Sequence, residues 1–206
     1  MLNKGRFIFY AIFMGIFVIK CAPSVAKRPG EREFVERNKE RPKWVITPPK
    51  EDKEKIWNVG TRTKAVMLEN GITDARMDGI GKIADAVKIE FRREYERARV
   101  EKGLPENDAD IGWVVNDGIM AISQVVVSGV REVDFYWEKY KVYNADGSVS
   151  YFYDVWVLVE IPKTEFKKAL NEVFERLKRK ARENLNQKAE ELIERMREGF
   201  KRRGSE

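Results

Sequence analysis

From Val149 to Ile161 apolar residues fall at every second position (Val149, Tyr151, Tyr153, Val155, Val157, Val159, Ile161), the period of a strand that buries one face. The stretch that opens at Val130 keeps the same parity through Val133, Phe135 and Trp137, and Asp146-Gly147 supplies a turn in which glycine takes positive φ without a Cβ clash. Together they predict a long β-hairpin over residues 130–161. The two odd rows share a face only if odd positions pair with odd ones, which requires an odd-numbered loop such as Ala145-Asp146-Gly147 with a glycine bulge. Beyond Trp137 the apolar positions change parity to Tyr140 and Val142, so a bulge or bend is expected near Glu138-Lys139. The even row carries Tyr136, Phe152, Trp156 and Leu158, an apolar patch that monomers seldom leave wet, so a cover is expected over it: a second internal layer before a helix of the same chain or a partner subunit.

The run from Ile56 to Thr61 predicts a third strand, with Gly60 ending or bending it. Thr73 then caps a predicted helix whose apolar positions, Ile80, Ile83, Ala84, Val87, Phe91 and Tyr95, step by three and four until Gly103-Leu104-Pro105 stops it. Gly79 and Gly81 each cost about 1 kcal/mol against alanine inside a helix, and with Ala75 they predict close packing on the sheet. A second helix is expected from about Asp110 to Ser128, with Ile111, Val114, Val115, Ile119, Ile122 and Val126 on one side and Gly129 as its stop.

Pro162 and Thr164 open a third helix whose stripe reads Phe166, Leu170, Val173, Phe174 and Leu177, then thins to Ala181, Leu185, Ala189, Leu192, Met196 and Phe200. Unbroken to Arg203, it would reach about 60 Å, so its distal part, residues 181–206, is expected to project or meet a partner and to be removable at little cost. The predicted fold class is α+β: a small antiparallel sheet of a short strand and a long hairpin, packed by two helices and a long C-terminal helix in the order βααββα.

Ahead of this domain, expected over residues 44–180 and opening at Pro42-Lys43-Trp44-Val45, the pattern changes twice. Lys4 and Arg6 precede an apolar run from Phe7 to Ile19, at roughly 20 Å too short for the ~30 Å hydrocarbon core, so residues 1–20 read as an export signal. Cys21, the only cysteine, follows directly. Here the chain resembles bacterial lipoprotein precursors, in which a lipobox ends at a cysteine that becomes the acylated N-terminus; Val18 and Ile19 fit, and Lys20 stands where a small residue is usual. The alternative is an uncleaved signal anchor with the same topology. Residues 21–43 are polar, charged and proline-containing, with Phe34 and Val35 the one apolar spot, and read as a flexible tether.

A second resemblance spans about residues 42–165. Pro42-Lys43-Trp44-Val45, Val59-Gly60, Ala75-Arg76 opening a small-residue helix, and a hairpin closing on Val155-Trp156-Val157-Leu158-Val159-Glu160-Ile161-Pro162 resemble the LPP-twenty family of bacterial surface lipoproteins. A related domain opens a periplasmic T-ring protein of the flagellar motor. The resemblance implies an envelope lipoprotein, with a binding or structural role and no catalytic signature. The expected location is the cell envelope, at the outer membrane, with the domain facing periplasm or exterior. Lipid through acylated Cys21 and an envelope protein or cell-wall component are the expected partners.

Candidate chemistry is sparse. Histidine is absent, which removes the imidazole base, and Cys21 belongs to the membrane end, so no thiol nucleophile serves the domain and no enzyme is expected. Glu106-Asn107-Asp108-Ala109-Asp110 lacks the twelve-residue calcium loop with its bidentate glutamate and reads better as helix N-capping. Val59-Gly60-Thr61 and Gly79-Ile80-Gly81 lack a phosphate-loop lysine, and no cofactor is expected. The pI of about 9.3 invites a nucleic-acid reading. Its distribution argues against one: residues 1–43 are net +6, residues 44–162 net −5 and residues 163–206 net +5, so the core is acidic between a basic tether and a basic last helix. Those basic flanks are suited to anionic lipid or cell-wall polymers, or simply to a solvated helix face of Glu/Lys pairs.

Overall fold

The computed structural model of the chain describes residues 27–49 and 52–203. The signal segment, Cys21 and the first part of the expected tether lie outside the described residues. The elements are β1 (Arg32–Arg37), α1 (Lys43–Ile46), β2 (Lys55–Ala65), α2 (Leu68–Glu101), α3 (Gly112–Gly129), β3 (Arg131–Tyr143), β4 (Val149–Pro162), α4 (Lys163–Glu183) and α5 (Gln187–Arg203). The fold is α+β, and β2 to α4 follow the order βααββα. One antiparallel sheet, ordered β1-β3-β4-β2, has α2 to α5 on one face and the segment leading through α1 on the other.

The hairpin pairs odd with odd, Phe135 opposite Val157 and Trp137 opposite Val155, and closes at Tyr143 and Val149 around residues 144–148, where Gly147 takes φ +82°. Val155, Val157, Val159 and Ile161 are buried under the helices. The irregularity of β3 falls between Glu132 and Asp134 rather than at Glu138-Lys139, and it leaves Val133 exposed. From Asp134 to Tyr143 the pairing is unbroken, so the change of parity is no kink. Tyr140 lies on the even face because β1 passes beside it, with the Phe34 ring edge-on at 6.1 Å.

That strand corrects the tether. Arg32–Arg37 pairs with Val142–Glu138 of β3, so from Arg32 onward the expected tether is part of the sheet. All six residues of β1 are exposed, and it is held through backbone pairing and ion pairs instead of apolar burial.

β2 runs through Gly60 without ending there, because α2 comes down on it. A Cβ at Gly60 would sit 1.8 Å from the Ala75 carbonyl oxygen and 2.4 Å from the Gly79 nitrogen. Gly71, Ala75 and Gly79, one helical turn apart, form the strip that lies on the sheet: a Cβ at Gly71 would meet Val155, and one at Gly79 would meet Val159. To include Gly71 the helix starts at Leu68 instead of Thr73. Gly81 points into open space and plays no part in this approach. α2 side chains also close the outer edge of β2. Asp78 accepts from the Thr61 amide at 2.8 Å and Lys82 donates to the Val59 carbonyl at 3.0 Å, so this sheet edge is not left to pair with another chain.

The last helix does not project. It breaks at residues 184–186, where Leu185 takes φ +53° and is almost fully exposed; Asn186 donates its amide to Ala181 and accepts the Ala189 amide on its side chain at 2.9 Å, which starts α5. α5 folds back against α4 and α2, burying Ala189, Leu192, Ile193 and Met196. Phe91, Phe174 and Phe200, from α2, α4 and α5, cluster with centroids 5.7 to 6.1 Å apart, Phe91 stacked on Phe174. Residues 187–203 are therefore core.

Gly79→Ala should destabilise by roughly 2 kcal/mol through strain at the helix–strand contact, whereas Gly81→Ala should stabilise by about 1 kcal/mol, both read from urea unfolding. Leu192→Ala should cost 2–5 kcal/mol, and a chain truncated after Lys180 should lose its cooperative thermal transition; a truncated chain melting like the whole would return α5 to the solvent.

Candidate functional site

The even face of the hairpin carries the polar cluster in which chemistry would have to reside. Of the four buried charged residues among those described, Glu138, Asp154 and Glu160 stand on this sheet and Glu94 lies within the helices. Each sheet carboxylate meets a cation. Arg32 reaches Asp154 at 2.6 Å, Arg41 reaches Glu138 with Nε at 3.0 Å and a terminal nitrogen at 2.6 Å, and Lys55 reaches Glu160 at 2.9 Å. At the margin Lys39 pairs with Asp134, which also accepts the Trp44 indole N–H at 3.1 Å. Asn38 joins the β3 backbone at Phe135 and Trp137.

Residues 38–44 thus form a strap across the even face, and this is the expected second layer. Tyr136 is fully buried beneath it, with Trp156 5.6 Å from its ring and the Arg41 guanidinium 5.6 Å from Trp156. Leu158 is buried as well, whereas Phe152, nearer the turn, is half-buried.

Glu138 is the centre of the cluster. It accepts the Tyr136 hydroxyl at 2.6 Å, the Tyr140 hydroxyl, and both Arg41 donors. Burial alone would raise its pKa, but these hydrogen bonds outweigh burial and hold the carboxyl below its ordinary value. Conversely, burial and then the Glu138 charge push the Tyr140 hydroxyl up to about 12, and the same causes raise Tyr136. Asp134 is lowered in the same way, its burial overcome by Lys39 and Trp44. At neutral pH the cluster is an ionised acceptor enclosed by protonated phenols and a guanidinium, an arrangement that fastens the strap and leaves no proton poised for transfer.

The acidic turn at 106–110 is structural too. Asp108 accepts the Asp110 amide at 2.9 Å and lies 3.4 Å from Lys188 of α5, while the Asn186 side chain donates to the Asp110 carbonyl at 2.6 Å. It caps its own turn and ties α3 to α5; α3 itself begins without a side-chain cap. Among the described residues no group of three or more His, Cys, Asp or Glu is placed to hold a metal ion, and no helix is long and apolar enough to cross a membrane. Glu94, buried between α2 and α5, fits because Gly199 faces it: a Cβ there would lie 1.7 Å from its carboxylate.

The hairpin also presents an open surface that periodicity alone did not mark. Beyond Val155, toward the turn, the odd face leaves the helices behind. Trp137 and Tyr153 meet edge-on at 5.6 Å, the Lys139 ammonium lies 5.5 and 5.6 Å from the Tyr151 and Tyr153 rings, and Lys141 lies 4.8 Å from Tyr143. Val149 and Tyr151 are exposed. With β1 alongside, this end is a three-stranded blade of aromatic rings and lysines. Cys21, the one site residue expected from sequence, lies outside the described residues. Comparison of the chain with protein-family models, curated proteins and solved structures gives no match.

The strap is expected to depend on Glu138. Glu138→Gln should cost about 3 kcal/mol at pH 7 and speed amide exchange across residues 38–44. Because the folded pKa of Glu138 is lowered, its contribution is complete above the ordinary carboxylate value near 4.3 and is lost as pH falls below it. The gap between wild type and variant should therefore narrow at pH 3 in urea titrations, and an unchanged gap would remove Glu138 from this role. At the alkaline end the raised Tyr140 gives stability that holds up to about pH 10 and fades as pH rises through about 12.

Proposed function

We propose that the protein is a non-enzymatic envelope lipoprotein of the LPP-twenty type, exported by residues 1–20, anchored through an acylated Cys21, and carrying an α+β domain that binds or organises another envelope component. The observation that carries this reading is the order of the N-terminal segment: a basic start, an apolar run too short to span comfortably, then the only cysteine, ahead of the first strand at Arg32. Acyl chains at such a cysteine hold a protein firmly, each buried methylene contributing ~0.8 kcal/mol. The chemistry of the domain is consistent with binding, since its sheet carboxylates are engaged in fastening the strap. A second reading, a structural or assembly factor of a periplasmic machine such as the flagellar motor, would use a projecting last helix to pair with a partner, and α5 is instead folded back against α4 and α2.

Mass spectrometry of the membrane-extracted protein is the test. The expected product starts at Cys21 with lipid mass attached, and Cys21→Ala should abolish the lipid mass. An intact N-terminus with an unmodified thiol would overturn the lipoprotein assignment.

A further inference from the structure

We infer that the hairpin end of the domain is its membrane-facing surface, with Val149, Tyr151 and Tyr143 entering the headgroup layer of the bilayer. This rests on the proposed anchor at Cys21 and adds to it an orientation and a contact surface.

The Gly30 amide donates to the Tyr143 carbonyl at 2.8 Å, the Tyr143 amide to the Glu31 carbonyl at 3.3 Å, and the Lys27 ammonium lies 5.9 Å from the Tyr143 ring. The chain therefore enters the domain at the hairpin turn. From Cys21 to Lys27 a fully extended chain spans at most about 20 Å, since each residue adds no more than ~3.5 Å. α2 has 34 residues, about 50 Å, and it runs from beside Val155, past Gly60, away from that turn. Its far end is joined to the start of α5 through Lys102–Glu191, and the turn between α4 and α5 is joined to Asp110. A short leash attached at one end of an elongated domain holds that end at the lipid.

The chemistry of this end suits the place. Tyrosine rings with polar tips and lysines with long apolar stems are the side chains that settle at the boundary between headgroups and acyl chains. Here Tyr143 and Tyr151 are interleaved with Lys139 and Lys141, and Val149 is exposed beside them. Lys27 balances Glu31 at 3.0 Å, Lys139 balances Glu36 at 3.0 Å and Tyr143 donates to Glu33 at 2.7 Å, so the contact is expected to be shallow and interfacial, and not driven by strong charge.

The test uses the full chain in vesicles of phosphatidylethanolamine and phosphatidylglycerol, with one cysteine introduced and labelled with an environment-sensitive fluorophore, the signal of the chain carrying Cys21 alone being subtracted. Val149→Cys reports the hairpin end, and Glu183→Cys, exposed at the end of α4, reports the far end. Spin-labelled headgroups should quench the Val149→Cys label at least threefold more than the Glu183→Cys label. Adding Tyr143→Ser and Tyr151→Ser should cut the quenching of Val149→Cys by half or more, with the circular dichroism of the domain unchanged. Equal quenching at both positions, as for a domain lying on its side, overturns the inference. Quenching untouched by the tyrosine changes overturns the contact. Mass spectrometry of the same samples reports acylation separately, and because an uncleaved signal anchor also leaves Cys21 at the lipid surface, failure of the lipoprotein reading is distinguished from failure of the orientation.

Discussion

A strand and a helix meet backbone to backbone at Gly60, and the other layers take their positions from that contact. With no side chain at Gly60 or Gly79, α2 lies directly on β2 instead of at the usual distance of about 10 Å between packed layers, which brings Asp78 and Lys82 within reach of the sheet edge. It also sets α2 over Val155 and Val159. The same helix then offers Phe91 to α4 and α5, and Gly118 of α3 leaves room for that ring. A methyl group at the first contact would lift the helix and shift every later one.

The hairpin was legible in the sequence because burial of one face imposes a two-residue period, and parity alone settled which residues pair. β1 was not legible, since Arg-Glu-Phe-Val-Glu-Arg buries nothing: its stability comes from backbone pairing and from ion pairs far along the chain, Arg32 with Asp154 and Glu36 with Lys139. The need for a cover over Tyr136 and Trp156 could be read from their size, but what covers them is a polar segment whose role appears only when its charges find partners. The break before α5 was masked because the apolar stripe continues nearly in phase across it. Asn184 and Asn186, both suited to helix ends, were the available signal, and Leu185 in the left-handed region was misread as part of the stripe.

As for the candidate site, Cys21 is legible only in the sequence, and the blade beyond Val155 only in the structure. Alternation made Tyr151 and Val149 look like core residues of the same kind as Val157. They differ because the strands outrun α2, and a one-dimensional period carries no information about where a covering helix begins.

The strand order β1-β3-β4-β2 has a consequence in time. Both edge strands come from the N-terminal part of the chain, while the hairpin at the centre of the sheet comes about a hundred residues later, so Arg32 waits for Val142 and Ile56 for Ile161. Pairings of such long range close slowly, because the entropy of the intervening loop is lost before any contact compensates it. A chain that emerges N-terminus first cannot complete its sheet until nearly all of it has been made. The strand order itself supplies that timing, holding the sheet open until the hairpin has been made.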